Sequence, residues 1–235
     1  MNALMHIKHP NVVRTYDIFR ADQKLFIVME FVPKTLASLL NERKAALSER
    51  VTQLWMGQVI AALAHVHMTN RMAHRDIKLD NVLLTADYRE TKLADFGMAM
   101  PAWDKARHCV PLAHTHCGYM CPQLVAKEPY NPYSADAWAI GTMLFVMLHA
   151  RFAFDYRHDS NEKQVYAHMM DHPAYIEAQI DRSLSKAAVE VIVKLLDPDE
   201  KSRLTLHEAL ANAWFATRVD VAAALSDVMS PQASK

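Results

Sequence analysis

Short apolar runs separated by polar turns fill the first 35 residues, and helical spacing takes over beyond them. Val12-Val13 and Leu25-Phe26-Ile27-Val28-Met29 have the composition of strands, and Arg20-Ala21-Asp22-Gln23-Lys24 between them reads as a polar turn. Pro33 cannot donate to a ladder and is expected to close the second strand. Val51, Leu54, Trp55, Val59, Ile60, Leu63 and Val66 then recur at three- and four-residue spacing. Ser48 is the expected N-cap of that helix, with Glu49 at its positive end. Strand character returns at Val82-Leu83-Leu84 and Thr91-Lys92-Leu93-Ala94. The segment 101–135 has no period and holds Pro101, Pro111, Pro122 and Pro132, the mark of a long functional loop. Ser134 is the expected N-cap of a helix running to about His149, apolar nearly all round and therefore buried. Further helical segments are expected at about 161–171, 184–196 and 205–214, followed by a weakly patterned tail at 219–235 expected to fray. The layout is α+β, a small strand-bearing start followed by a mainly helical body.

Composition narrows the function classes. Lys+Arg and Asp+Glu both number 26, so the 235 residues supply no general field for nucleic acid or an anionic membrane. The longest apolar run, Ala137 to Leu148, falls well short of the ~20 residues of a membrane span. Three Cys cannot build a disulfide framework, which favours a reducing compartment and a cytoplasmic location. His6 and Lys8 interrupt the start where a signal peptide needs an apolar stretch. His108, Cys109, His114, His116, Cys117 and Cys121 crowd one loop, but their spacing matches no standard zinc motif and reads as a solvated segment.

Chemistry concentrates in two places. Residues 74–81 read His74-Arg75-Asp76-Ile77-Lys78-Leu79-Asp80-Asn81, and 95–97 read Asp95-Phe96-Gly97, with hairpin-like strands between. Moving a phosphoryl group from ATP requires a carboxylate at the acceptor hydroxyl and hard oxygen ligands for Mg²⁺. The two motifs resemble the catalytic loop and metal-binding motif of eukaryotic protein kinases. The resemblance implies that Asp76 accepts the hydroxyl proton, Lys78 screens the transferring phosphoryl, and Asn81 and Asp95 hold Mg²⁺. Lys78, two residues after Asp76, is similar to the serine/threonine subgroup, whose substrates are proteins.

The likeness extends along the chain. His9-Pro10-Asn11-Val12-Val13 resembles the turn after the kinase αC helix, and Met29-Glu30-Phe31-Val32 resembles gatekeeper and hinge. It implies adenine contacts from the main chain of Glu30 and Val32 beside Met29, with Leu83 beneath the ring. Leu4 is the αC residue expected to pack towards Phe96. His74, Phe96 and Gly97 take structural roles, and Asp136 matches the buried Asp that braces the catalytic loop. Asp197-Pro198-Asp199 to Arg203, then Ala213-Trp214-Phe215, resembles the close of the large lobe. The implied organisation is a small-lobe remnant at 1–32, a large lobe at 33–218 and a tail at 219–235. The subgroup most resembled is the calcium/calmodulin-dependent one, particularly testis-specific serine kinases.

Departures from the family pattern matter to activity. Gly57, Gly97, Gly118 and Gly141 are the whole glycine complement, so no Gly-rich phosphate loop is present. Register against His9-Pro10 puts the αC Glu one position before Met1, so the β3 Lys and its partner are also absent. Truncation is one expectation, and a pseudokinase-like scaffold that binds a partner is the alternative to an enzyme. Gln123 stands where the family has a Glu paired with Arg203. Pro33-Lys34-Thr35-Leu36 lacks the acidic residue that usually meets the ribose. Thr115 matches the activating phosphorylation site and Arg75 the residue that pairs with its phosphate.

Overall fold

The computed structural model describes residues 5–101, 117–154 and 161–229. Thr15–Ala21 (β1) and Lys24–Met29 (β2) form an antiparallel hairpin in its own two-stranded sheet. Asp22 and Gln23 turn it with φ of 48° and 62°, both left-handed, the geometry that matches the twist of a two-residue hairpin. The first strand is therefore Thr15–Ala21 rather than Val12-Val13. Val12 is drawn instead into an isolated parallel bridge with Leu93, and Val13 N–H donates to the Leu93 carbonyl at 2.9 Å. The second strand ends at Met29, before Pro33. Phe31 beyond it is 87% exposed.

Lys34–Thr35 (β3) pairs with Val82–Leu84 (β5), which pairs with Thr91–Leu93 (β6) in a three-stranded antiparallel sheet. Met72–Ala73 (β4) pairs with Met100–Pro101 (β7). Leu36–Arg43 (α1), which the apolar periodicity does not announce, starts on the Thr35 hydroxyl, which accepts from Ser38 N–H.

Glu49–Thr69 (α2) is the central helix. Ser48 caps it as expected, and Val51, Trp55, Met56, Val59, Ile60, Leu63 and Val66 are buried along it. The Glu49 side chain does more than face the helix dipole. Its carboxylate accepts from Ser185 N–H at 2.6 Å, Ser185 Oγ at 2.7 Å and Trp214 Nε1 at 3.1 Å, tying distant helices to the N-terminus of α2.

Pro122–Val125 (α3) and Pro132–His149 (α4) follow. The cap of α4 is Asn131 rather than Ser134, because Pro132 at the first helical position fixes the start of the helix ahead of Ser134. Helix α4 is buried all round, as its apolar run predicts. Gly141 lets it approach its apolar neighbours closely: a Cβ there would lie 2.9 Å from Leu195 Cβ. Glu162–Met170 (α5), Ala174–Gln179 (α6), Lys186–Leu195 (α7), Leu206–Ala211 (α8) and Ala213–Ala216 (α9) complete the helical body. Val221–Met229 (α10) corrects the frayed tail over those residues. Ala224, Leu225 and Val228 are buried, and Arg43 donates to the carbonyls of Val228 at 2.6 Å and Asp227 at 3.0 Å. No helix among the described residues is long and apolar enough to cross a membrane.

Candidate active site

Strand β4 delivers the chain into the loop 74–81, and a 3₁₀ turn at Leu79–Asn81 passes it on to β5. Hairpin β5–β6 returns so that Ala94 N–H donates to the Asn81 carbonyl at 2.9 Å. Asp95, the next residue, thereby stands beside the loop.

Within the loop the Asp76 carboxylate is the hub. Its Oδ2 accepts from Lys78 Nζ at 2.8 Å and from Asn81 Nδ2 at 2.9 Å, and Asn81 Nδ2 also donates to the Asp76 carbonyl at 2.7 Å. Asp76 and Lys78 are largely covered, with side chains 14% and 19% exposed. Asp95 takes a left-handed conformation, φ 58° and ψ 73°, and its Oδ1 accepts from Gly97 N–H at 3.1 Å. A Cβ at Gly97 would meet that same oxygen at 3.0 Å, so glycine here keeps the carboxylate in place.

The loop is held from below by α4. Asp136, 2% exposed, accepts from His74 N–H and Arg75 N–H at 2.8 Å each, and His67 Nε2 lies 2.8 Å from its Oδ2. Those bonds offset the cost of Arg75, which sits at φ 70° without being glycine. Arg75 Nη1 reaches Met100 Sδ, and its buried Nε has no partner among the described residues. Thr115, its expected phosphorylated partner, lies outside the described residues, as do Leu4 and all of the His/Cys cluster except Cys117, whose side chain is likewise outside them, and Cys121. Cys121 is buried, and burial pushes its thiol pKa up.

His74 is fully buried. Its Nε2 lies 3.0 Å from the Ala94 carbonyl, Nδ1 accepts from Asp76 N–H at 3.3 Å, and the Phe96 ring packs against it, tilted, at 4.6 Å. Desolvation lowers its pKa from 6.5, outweighing the opposing pull of Asp136. The neutral ring with Nε2–H fits both partners. A group whose folded pKa lies below its unfolded value stabilises the fold fully above about pH 6.5, and that contribution is lost as pH falls. Urea unfolding is therefore expected to show falling stability between about pH 7.5 and pH 5.5, by at most about 1.4 kcal/mol per pH unit per histidine. The slope is expected to flatten in His74→Asn. His9 and His149, also lowered by burial, add to it with the same sign.

Strand pairing places the expected hinge residues and Leu83 along the sheets that precede Asp95. Met29 ends β2, half-buried Glu30 donates its N–H to the Arg14 carbonyl at 2.8 Å, and Val32 leads into β3. Thr35 pairs with Leu83, which pairs in turn with Lys92. A Mg²⁺ ion suits the donors present. The Asn81 amide nitrogen is spent on Asp76, which leaves its amide oxygen as the candidate ligand, and Asp95 is an exposed carboxylate. Among the described residues no three His, Cys, Asp or Glu side chains form a metal cage. Mg²⁺ is commonly bound through one or two protein oxygens together with phosphates, so none is required.

The protein kinase domain family matches residues 1–215. The chain belongs to that family. It is 30% identical over 211 residues to the mitosis inducer protein kinase cdr1 of Schizosaccharomyces pombe, covering 88% of this chain and 33% of that one. With CBL-interacting serine/threonine-protein kinase 26 of Arabidopsis thaliana it shares 33% identity over 214 residues, 89% of this chain and 46% of the relative. Testis-specific serine/threonine-protein kinase 2 of Mus musculus is 29% identical over 219 residues, 91% and 59% of the two chains. The kinase domain thus spans between a third and three-fifths of these relatives.

Where this kinase domain departs from the family pattern, the polar groups still find partners. Arg203, 4% exposed, donates to Gln123 Oε1 at 3.2 Å, Ser134 O at 2.9 Å, Ser134 Oγ at 3.1 Å, Asp197 O at 2.7 Å and Pro198 O at 3.2 Å. Its guanidinium lies 5.0 Å over the Trp138 ring, and burial lowers its pKa from the ordinary value. The expected hydrogen bond to the neutral Gln123 is present, and four further acceptors surround the cation. Two site neighbours escaped sequence reasoning. Tyr119 Oη accepts from Leu79 N–H at 3.4 Å, with its phenol pKa pushed up by burial. Lys92, whose ammonium meets Glu30 and the Pro10 carbonyl, is the other.

Proposed function

We propose that this domain catalyses ATP- and Mg²⁺-dependent phosphoryl transfer to Ser or Thr of proteins, as a cytoplasmic member of the calcium/calmodulin-dependent-like group. The observation that supports it most is the convergence of Lys78 and Asn81 on one carboxylate oxygen of Asp76. Both side-chain bonds go to Oδ2, which leaves Oδ1 to take the proton of an incoming hydroxyl. Lys78, anchored on Asp76, places positive charge where the transferred group passes. Asn81 and Asp95 are the proposed Mg²⁺ ligands, and the ion, when bound, neutralises charge on the phosphates. The main chain of Glu30 and Val32, flanked by Met29 and floored by Leu83, receives adenine. Arg75 awaits a phosphate on Thr115. His74, Phe96, Gly97, Asp136, Gln123 and Arg203 hold these groups in place.

Catalysis in this chemistry rests on positioning and electrostatics, and the 235 residues contain no Gly-rich loop to hold phosphates. Labelled phosphate incorporation by the chain alone is expected to be weak and to vanish in Asp76→Ala. Incorporation that survives Asp76→Ala overturns the assignment. ATP with Mg²⁺ is expected to raise the melting temperature, because a ligand that binds only the folded state stabilises it, and Asp95→Asn is expected to abolish the rise. No shift at millimolar ATP points instead to a scaffold that does not use nucleotide.

A further inference from the structure

The hinge is poorly held by packing. Strand β2 leads into it with every residue exposed, and Phe31 at its middle is 87% exposed. Lys92 supplies what packing does not. In an antiparallel pair, side chains directly opposite share a face, so Lys92 and Leu83 project from the β5–β6 hairpin to the same side. The Lys92 ammonium lies 3.0 Å from Glu30 Oε1 and 2.9 Å from the Pro10 carbonyl. Its side chain is 12% exposed, that of Glu30 26%. Glu30 Oε2 accepts from Arg14 N–H at 3.2 Å, and Glu30 N–H donates to the Arg14 carbonyl. One ammonium thereby joins three segments distant in sequence: the loop around Pro10, the hinge at Glu30, and the strand that leads to Asp95.

An isolated surface ion pair contributes little. This one is partly covered and braced by a main-chain carbonyl on one side and a main-chain N–H on the other, so it fixes backbone as well as side chains. We propose that Lys92 is a positioning residue for the nucleotide base: through Glu30 it sets the main chain of residues 30–32 against Leu83. The inference rests on the nucleotide site proposed above. Lys92 touches neither the acceptor hydroxyl nor the phosphates in that scheme, so its effect falls on the adenine end alone.

The test uses the 235-residue chain, its Lys92→Met and Glu30→Gln variants, and Lys92→Arg as the conservative control. Hydrogen exchange of the amides at 30–32 is expected to quicken about fivefold in Lys92→Met and Glu30→Gln, the upper end of what a partly exposed ion pair contributes, and to stay near wild type in Lys92→Arg. A fluorescent ATP analogue with Mg²⁺ is expected to bind about fivefold more weakly to the first two variants, while inorganic tripolyphosphate with Mg²⁺, which has no base, keeps its affinity. Unchanged exchange at 30–32, or equal weakening of the analogue and of tripolyphosphate, overturns the inference. A wild-type chain that binds neither probe sinks the nucleotide site instead, and the exchange rates alone then decide whether Lys92 braces residues 30–32. Urea midpoints monitor the folding of each variant, and a variant that unfolds is replaced by Lys92→Gln under the same criteria.

Discussion

Asp136→Ala is expected to lower the unfolding free energy by about 3–5 kcal/mol, the loss typical of removing one partner from a buried charged network. Three donors converge on this carboxylate at 2.8 Å, and all three are left facing an apolar methyl group. The backbone at Arg75 adds to the loss, because its left-handed conformation is retained only while its N–H is held. Asp136→Asn separates the contributions. Its amide oxygen can replace Oδ2 beneath His74 and His67, but its nitrogen then confronts the Arg75 N–H, donor against donor. Chemical denaturation is expected to rank the variants wild type, Asn, Ala, with hydrogen exchange at 75–76 quickening in both. An alanine variant within about 1 kcal/mol of wild type, the ordinary range of a single mutation, contradicts the bracing role.

That brace shows which parts of the molecule were legible from sequence. The motifs at 74–81 and 95–97 are local, so their residue types could be recognised directly, and the strands and helices around them follow from period. The Ser48 cap and the buried α4 run were equally accessible, since each is set by neighbours a turn away. What failed depends on tertiary context. Val12-Val13 has strand composition, yet the core claims Val12 for a bridge to Leu93, and the hairpin strand forms from the less apolar Thr15–Ala21. Asn131 outcompetes Ser134 as a cap because Pro132 fixes the first helical residue. The helix at Val221–Met229 has weak pattern of its own and is ordered by Arg43, nearly the whole chain away, and by Ser48, whose hydroxyl donates to Asp227 at 2.6 Å. Lys92 belongs to the same class. Nothing near it in sequence announces that its ammonium meets Glu30 and Pro10, because the β5–β6 hairpin and the chain crossing at Val12 bring those groups together.

Arg203 carries the second large expected effect. Alanine there removes a buried cation from five acceptors and from the face of Trp138, an expected loss of about 3–5 kcal/mol, or roughly 10 °C in melting temperature for a chain this size. Arg203→Lys recovers only part, since a single ammonium cannot span acceptors that a planar fork reaches together. Gln123→Glu acts in the opposite direction. It gives up the Gln123 Nε2 bond to the Pro198 carbonyl at 2.7 Å, worth about 1 kcal/mol, and replaces a neutral acceptor of Arg203 with a charged one worth about 2–3 kcal/mol. Desolvating the new carboxylate takes back part of the difference, and a net gain of about 1 kcal/mol is expected, because the unneutralised Arg203 already bears its own desolvation cost. The gain should disappear on acidification as the new carboxyl protonates, which distinguishes it from a packing effect. A Gln123→Glu variant less stable than wild type at about pH 7.5, where a carboxylate is ionised, shows that the surrounding carbonyls already satisfy the guanidinium, and that the neutral residue is the better partner in this pocket.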